Sequence, residues 1–207
     1  MKQLEIEKTI KLLEKYKLPF SKSIIIKTKE EALKAAKKIK YPLAIKTASE
    51  KIIHKTEKQA VKININSEEE LERAYDQIQK RTSSKNMLLQ KMEYGQEIII
   101  GLKKDSQFGQ VIIFGLGGIF TEILKDTSTR ICPITKQEAE EMIEEIKSKK
   151  LLEGYRNLKP INKNKLINIL LKTSQLSEKK EIQELDFNPI IANEKEAKIV
   201  DARIMIE

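Results

Sequence analysis

The sequence predicts an α/β (α+β) fold made of two interlocked lobes that meet near residue 90. Short apolar runs of strand length alternate with segments of helical period along the whole chain. Two Ser/Thr-x-x-Glu signals, Ser67 with Glu70 and Thr135 with Glu138, open helices in different halves. Between those helices lies a strand-rich block that holds six of the seven glycines: Gly95, Gly101, Gly109, Gly115, Gly117 and Gly118. Mixed strands and helices of this kind pack as layers around a shared core, and no linker of low complexity separates the halves.

Each element follows from local pattern. Leu4, Ile6, Ile10, Leu13 and Tyr16 recur at helical spacing, so residues 2–16 are expected to form a helix that ends before Pro19. Ile24-Ile25-Ile26 reads as a buried strand, followed by a helix over Lys29 to Lys40 with Ala32, Leu33, Ala36 and Ile39 as its apolar stripe. Tyr41-Pro42 breaks that helix. Leu43-Ala44-Ile45-Lys46 is a strand that leads into a polar loop over residues 47–59, where the single histidine lies. Val61, Ile63 and Ile65 then alternate with polar residues, the period of a half-buried strand. The helix opened at Ser67 is expected to run to about Arg81, and the one opened at Thr135 to about Lys147. Strands are expected at Met87 to Met92, Glu97 to Leu102 and Val111 to Phe114, with weaker ones at Glu122 to Leu124 and Arg130 to Cys132. A helix over Lys163 to Leu176 and strands at Ile182 to Phe187 and Lys198 to Ile204 close the chain.

Composition narrows the class of function. At 207 residues the chain can bury a core without disulfides or structural metal. No apolar run reaches the roughly 18 residues of a membrane span, and the charged start Met1-Lys2-Gln3-Leu4-Glu5 has no secretory h-region, so a cytoplasmic protein with no membrane partner is expected. Cys132 stands alone, which excludes an intrachain disulfide framework and a cysteine-rich zinc site; a small buried residue is its expected role. The net charge of +9 could attract phosphates, nucleic acid or an acidic protein. Aromatics make up only 5% of the chain and there is no Trp, so the stacking platforms of a single-strand binder are scarce. A solvated lysine-rich surface without nucleic acid is the expectation.

Several residues have side chains suited to phosphate chemistry. Lys46 ends an apolar strand, from which an ammonium can reach into a cleft and pair with phosphate oxygens; an ordinary strand lysine is the alternative. His54, within Ile53-His54-Lys55-Thr56-Glu57, is a possible phosphoryl acceptor, since imidazole is largely neutral near pH 7 and leaves readily; it equally reads as a solvated loop residue. Phe114-Gly115-Leu116-Gly117-Gly118-Ile119 follows a strand and could bring backbone N–H groups close to an anion, or simply turn the chain. It is neither a P-loop nor a dinucleotide fingerprint. Glu184, Asp186, Asn188 and Asp201 offer hard oxygen ligands on and beside two strands, suited to a magnesium ion that prefers few protein carboxylates plus substrate phosphates. Strand-end and turn chemistry, above all at Asn188-Pro189, is the other reading of the same residues.

In this order the pieces resemble the β subunit of ADP-forming acetyl-CoA synthetase, and more distantly the nucleotide-binding lobes of succinyl-CoA ligase. The resemblance covers almost the whole chain. It is carried by Ile45-Lys46 with His54-Lys55, by Leu89-Gln90-Lys91-Met92 with Gln96 to Gly101, by the run from Phe108 to Asp126, and by Glu184-Leu185-Asp186-Phe187-Asn188-Pro189. It implies a single ATP-grasp domain over 1–207, an ATP-grasp fold whose lobes, about 1–90 and 91–207, clasp a nucleotide. Lys46 would touch the ATP phosphates, and Gln90, Lys91 and Met92 would form the hinge that holds adenine. His54 would be the mobile phosphohistidine, with Asp186 supporting a phosphohistidine and Glu97 at the nucleotide site. Gly117 and Gly118 would approach the nucleotide, Arg130 would help hold phosphate, and Asn188 with Asp201 would bind Mg2+. The implied enzyme is an acid-CoA ligase that interconverts acyl-CoA, ADP and phosphate with acid, CoA and ATP. CoA would be bound mainly by a separate CoA-binding α subunit, in an α2β2 heterotetramer.

The chain departs from this family at several positions. The family commonly follows its histidine with Ser-Asp and a pair of glycines, whereas this chain has Thr56-Glu57-Lys58-Gln59-Ala60. Glu57 keeps the charge, but the glycines are gone. An arginine-glycine pair appears as Arg156-Asn157, the acidic residue expected soon after it appears as Asn162, and Lys91 replaces an acidic residue or proline in the hinge. These changes sustain an alternative, a catalytically degenerate ATP-grasp module that binds nucleotide for regulation or assembly.

Overall fold

The computed structural model describes residues 1–48, 60–84, 86–118 and 125–207, and these fall into two units. The smaller unit comprises Ser21–Met92 together with Glu5–Glu7; the larger comprises Met1–Leu4, Lys8–Phe20 and Glu93–Glu207. Each has its own core.

The smaller unit is a four-stranded antiparallel sheet with two helices on one face. Its elements are β2 (Ser23–Ile26), α2 (Lys29–Ile39), β3 (Leu43–Thr47), β4 (Val61–Ile65), α3 (Glu68–Thr82) and β5 (Met87–Lys91), and the strand order is β2-β5-β3-β4. The Thr28 hydroxyl caps α2 by accepting from the Glu31 N–H at 3.2 Å, and Glu31 reaches back to the Lys27 N–H at 2.7 Å. Ser67 and Glu70 act alike on α3, with Glu70 returning to the Asn66 N–H at 2.7 Å, one residue earlier than in a full capping box. Ala32, Ala35, Ala36 and Ile39 of α2 and Leu71, Ala74, Tyr75 and Ile78 of α3 pack onto Ile26, Leu43, Ile45, Ile65, Met87 and Leu89. Alternation along the strands therefore turns Ala44, Lys46, Leu88 and Gln90 to the other face.

The larger unit is built on a sheet in the order β1-β11-β9-β6-β7-β8, with β10 also paired to β9. Its strands are β1 (Lys2–Gln3), β6 (Gln96–Asp105), β7 (Gly109–Leu116), β8 (Thr127–Ile131), β9 (Ile182–Ala192), β10 (Ala197–Ile199) and β11 (Ala202–Ile206). Its helices are α1 (Ile6–Lys15), α4 (Lys136–Glu145), the single turn α5 (Lys149–Leu152) and α6 (Lys163–Gln175). Thr135 and Glu138 make a complete capping box on α4. That helix stops at Glu145, short of Lys147, because the Asp126 carboxylate accepts the N–H groups of Lys147 and Ser148 at 2.8 Å each and turns the chain. Leu13, Ile98, Ile100, Phe114, Met142, Leu170, Phe187 and Ile204 are among the residues of one continuous core.

Three expectations are corrected here. Residues 2–16 are not all helix: Lys2 and Gln3 pair with Ile206 and Met205 at the edge of the sheet, and the helix begins at Ile6. It ends before Pro19, where the Leu18 and Lys17 N–H groups return to the Leu13 and Glu14 carbonyls at 2.8 and 2.9 Å, with Lys17 left-handed at φ 53°. The strand expected to stop at Phe187 runs through Asn188-Pro189 to Ala192, and the last strand is split in two at Val200-Asp201. The chain changes unit after Met92, close to the division expected near residue 90, and from Lys8 onward α1 goes with the larger unit. Leu13 and Leu18 lie buried in the larger core, and each contributes about 1.5–3 kcal/mol by leaving water.

Candidate functional site

In the smaller unit, Lys46 and Gln90 share the face of the sheet turned away from α2 and α3. Lys46 is opposite Leu88 and Gln90 is opposite Ala44, so the two are diagonal neighbours across β3 and β5. Lys46 is 6% exposed and Gln90 1%. An ammonium withdrawn from water in this way needs anionic or hydrogen-bonding company, so the face is built to carry a positive charge. Next to Lys46, the Thr47 N–H donates to the Ala60 carbonyl at 3.0 Å, and the Ala48 N–H to the Asn86 carbonyl at 3.0 Å. Thr47 and Ala60 are thus tied together beside Lys46. His54, expected to be catalytic, belongs to the segment 49–59 and lies outside the described residues.

The hinge residues end β5. Lys91 is exposed and Met92 half-buried. The Lys91 N–H donates to the Lys22 carbonyl at 2.9 Å and the Met92 N–H to the Pro42 carbonyl at 3.1 Å, while the Ser21 hydroxyl donates to the Lys91 carbonyl at 3.2 Å. Both amides are committed within the unit, so what these residues can offer a ligand is carbonyl oxygen and side chain.

In the larger unit the register brings together residues that are far apart in sequence. Strand β9 is central here, with β6 on one side and β10 and β11 successively on the other. Ile199 pairs with Ile190 and Ala202 with Phe187, which leaves Val200-Asp201 facing Asn188-Pro189. Pro189 has no N–H for the ladder; its carbonyl accepts the N–H groups of Val200 and Asp201 at 3.0 and 3.3 Å. The interruption sets Asp201 beside Asn188, two oxygen donors at a kink, with Asn188 exposed and Asp201 half-buried. Among the described residues no three His, Cys, Asp or Glu side chains gather closely enough to hold a metal alone. A pair of donors completed by phosphate and water is nonetheless what magnesium accepts, so the residues fit that ion.

One row away, on the face turned from the core, Gly101, Asp186 and Arg203 lie side by side across β6, β9 and β11. Burial pushes the Asp186 carboxyl up to about 6, aided by the nearby Asp201 and Glu184 charges and opposed by Arg203. On the other side of the Asn188 row, Glu97 pairs with Ile191 and is exposed. The Gly117 N–H donates to the Glu97 carbonyl at 2.7 Å, and a Cβ on Gly117 would come within 2.8 Å of the Glu97 Cβ. Gly117 is therefore needed for close approach of the chain, and its amide is already used. Gly118, left-handed at φ 63°, lies next to the Glu97 carboxylate.

Arg130, expected to help hold phosphate, is not gathered into this group. It stands on β8, at the sheet edge beyond β7. Its guanidinium closes as a fork on the Glu145 carboxylate of α4, with Glu141 at 3.6 Å and the Thr129 carbonyl as a further acceptor. Arg203 is the residue that the sequence reading missed. Its signal was faint: it lies two positions after Asp201 and hence close to it, but nothing in the sequence shows that Asp186 is its cross-strand neighbour.

A family model described as the ATP-grasp domain matches residues 1–206. The β subunit of ADP-forming acetate–CoA ligase I from Pyrococcus furiosus is 41% identical over 204 residues, which cover 94% of this chain and 88% of that one. ADP-forming acetate–CoA ligase II from Archaeoglobus fulgidus is 40% identical over 196 residues; the match takes in 94% of this chain but spans only 29% of that longer relative. Among solved structures, dinucleotide forming acetyl-coenzyme A synthetase 1 of Candidatus Korarchaeum cryptofilum, in complex with coenzyme A, Ca-AMPCP and HgCl+, superposes with a TM-score of 0.96 at 35% identity, over 100% of this chain and 94% of that one. The same protein with coenzyme A and Mg-AMPPCP, its phosphohistidine segment pointing towards the nucleotide binding site, matches with a TM-score of 0.87 at 36% identity, over 100% of this chain and 93% of that one. With nearly its full length matched both by the family model and by a β subunit that it nearly covers, the chain belongs to the ATP-grasp family and, within it, to the β subunits of ADP-forming acetate–CoA ligases.

Proposed function

We propose that this chain is the nucleotide-binding subunit of an ADP-forming acyl-CoA synthetase, acting with a CoA-binding subunit, in an α2β2 assembly. The observation that carries the reading is the kink of β9, which sets Asn188 against Asp201 with Asp186 and Arg203 one row away and Glu97 with Gly117-Gly118 one row to the other side. The reaction proposed is the one that the family resemblance implies. Phosphate attacks acyl-CoA to give acyl phosphate and CoA, a histidine takes the phosphoryl group and frees the acid, and ADP takes it from the histidine to become ATP.

His54 is the proposed carrier within this chain. Lys46, withdrawn from water on its sheet face, neutralises phosphate oxygens, and Gln90 to Met92 line the base. Asn188 and Asp201 are the proposed ligands of Mg2+, which would supply charge neutralisation and alignment of the phosphate oxygens. Asp186 accepts a hydrogen bond from the imidazole that carries phosphate, fixing which nitrogen is free to react. Glu97, with Gly118 beside it, borders the site, and Gly117 lets that border close.

The test is labelling with γ-labelled Mg-ATP in the presence of the CoA-binding subunit, comparing wild type with His54→Ala. An acid-labile, alkali-stable label in wild type that the variant loses supports the carrier role. No label in wild type, with nucleotide still bound, would favour the degenerate nucleotide-binding module, the reading that the lost glycines after His54 keep alive.

A further inference from the structure

Arg203 stands on the face of the large sheet turned from the core, in the row Ile113, Gly101, Asp186, Arg203. Gly101 brings no side chain to that row. The neighbouring row carries Asn188 and Asp201. A guanidinium has five N–H donors, and buried donors are ordinarily paired. The Arg203 Nε–H is buried and has no acceptor. Arg203 acts on Asp186 through charge, which is the purely structural role open to it. A cation kept only for that purpose would close its fork on the carboxylate, as Arg130 does on Glu145. Arg203 instead keeps an unmet donor next to the two residues proposed to hold Mg2+.

We propose that Arg203 is an anion-binding residue of this site, its guanidinium holding the phosphoryl group that is transferred, beside Asn188 and Asp201. The assignment rests on the nucleotide-binding reading above. A planar fork of donors matches the geometry of phosphoryl oxygens, and an arginine stays charged at every working pH. The same oxygens are offered by the γ-phosphoryl of ATP and by inorganic phosphate.

The experiment is calorimetric titration of the full chain with Mg-ATP, with Mg-ADP, and with inorganic phosphate in the presence of Mg-ADP, for wild type, Arg203→Met and Arg203→Lys. Arg203→Met is expected to weaken Mg-ATP or inorganic phosphate about tenfold or more while Mg-ADP binds as in wild type, the loss of a charge-assisted hydrogen bond to the terminal group alone. A loss confined to ATP identifies the γ-phosphoryl as the source, and a loss confined to inorganic phosphate identifies the free ion. Arg203→Lys keeps charge but not the fork and should fall between. If Arg203→Met does not fold, Arg203→Lys decides: a selective loss supports the assignment and wild-type affinity overturns it. The assignment is also overturned if folded Arg203→Met binds ATP and phosphate as wild type does, or if ADP weakens as much as ATP. Wild-type protein that binds neither nucleotide would instead sink the nucleotide reading and the assignment with it.

Discussion

Replacing Asp186 by Asn should stabilise the metal-free protein near neutral pH and do almost nothing in acid. The carboxyl is raised from 3.8 to about 6 by burial and by the charges of Asp201 and Glu184, against the opposing effect of Arg203. A carboxylate whose folded value lies above its unfolded value holds its proton more tightly when folded. Its contribution to stability is fully present below pH 3.8 and is lost as pH rises through about 6. A shift of about two units corresponds to about 3 kcal/mol, and solvent screening of a half-buried group brings the expected difference to about 1–3 kcal/mol. Asn is neutral throughout and never meets this cost. Urea melts followed by circular dichroism in EDTA at pH 4.5, 6.0 and 7.5 measure it. The difference between variant and wild type should be about a third of its full size at pH 4.5 and reach its plateau at pH 7.5. A difference of the same size at pH 4.5 and 7.5, or a variant less stable at pH 7.5, would show that the carboxylate is not strained by its surroundings.

Two further substitutions probe the two units separately. Lys46→Met keeps the bulk of the buried side chain and removes its charge, and should weaken Mg-ATP about tenfold or more in a fluorescence titration; wild-type affinity in the folded variant removes Lys46 from the phosphate site. Gly117→Ala places a methyl 2.8 Å from the Glu97 Cβ, and should cost about 1–3 kcal/mol in a urea melt. An unshifted melt would mean that the Gly117 to Glu97 approach has slack to give.

The local elements were legible because their causes are local. The helices over 29–39, 68–82 and 163–175 announce themselves through apolar periodicity, and the second also through Ser67 with Glu70 at its start; the caps at Thr28 and Asn162 came only with the structure. The strand that delivers Lys46 and the alternating strand after the 49–59 segment were readable for the same reason. The N-terminal strand was not: two residues carry no period, and Lys2-Gln3 is extended because the edge of β11 is there to pair with. Asn188-Pro189 looked like a turn because proline cannot donate to a ladder, yet the strand continues, since its missing bond falls where Val200 and Asp201 bulge and donate to the proline carbonyl instead.

The sequence by itself determined the alternation of helices and strands, the residue types able to handle phosphate, and a resemblance strong enough to order them as an ATP-grasp chain. Whether those residues meet was decided only by strand register. Asn188 and Asp201 are neighbours because two successive strands pair with one face of β9's ladder and leave a gap between them. Arg130 is held by Glu145, and Arg203 stands beside Asp186, for a kindred reason: a charged side chain takes its role from the groups set within reach of it. Glu145 comes to Arg130 from a helix fifteen residues on, and Asp186 comes to Arg203 from the next strand. Those distances are fixed by packing and not by spacing along the chain, so no local pattern could have revealed them.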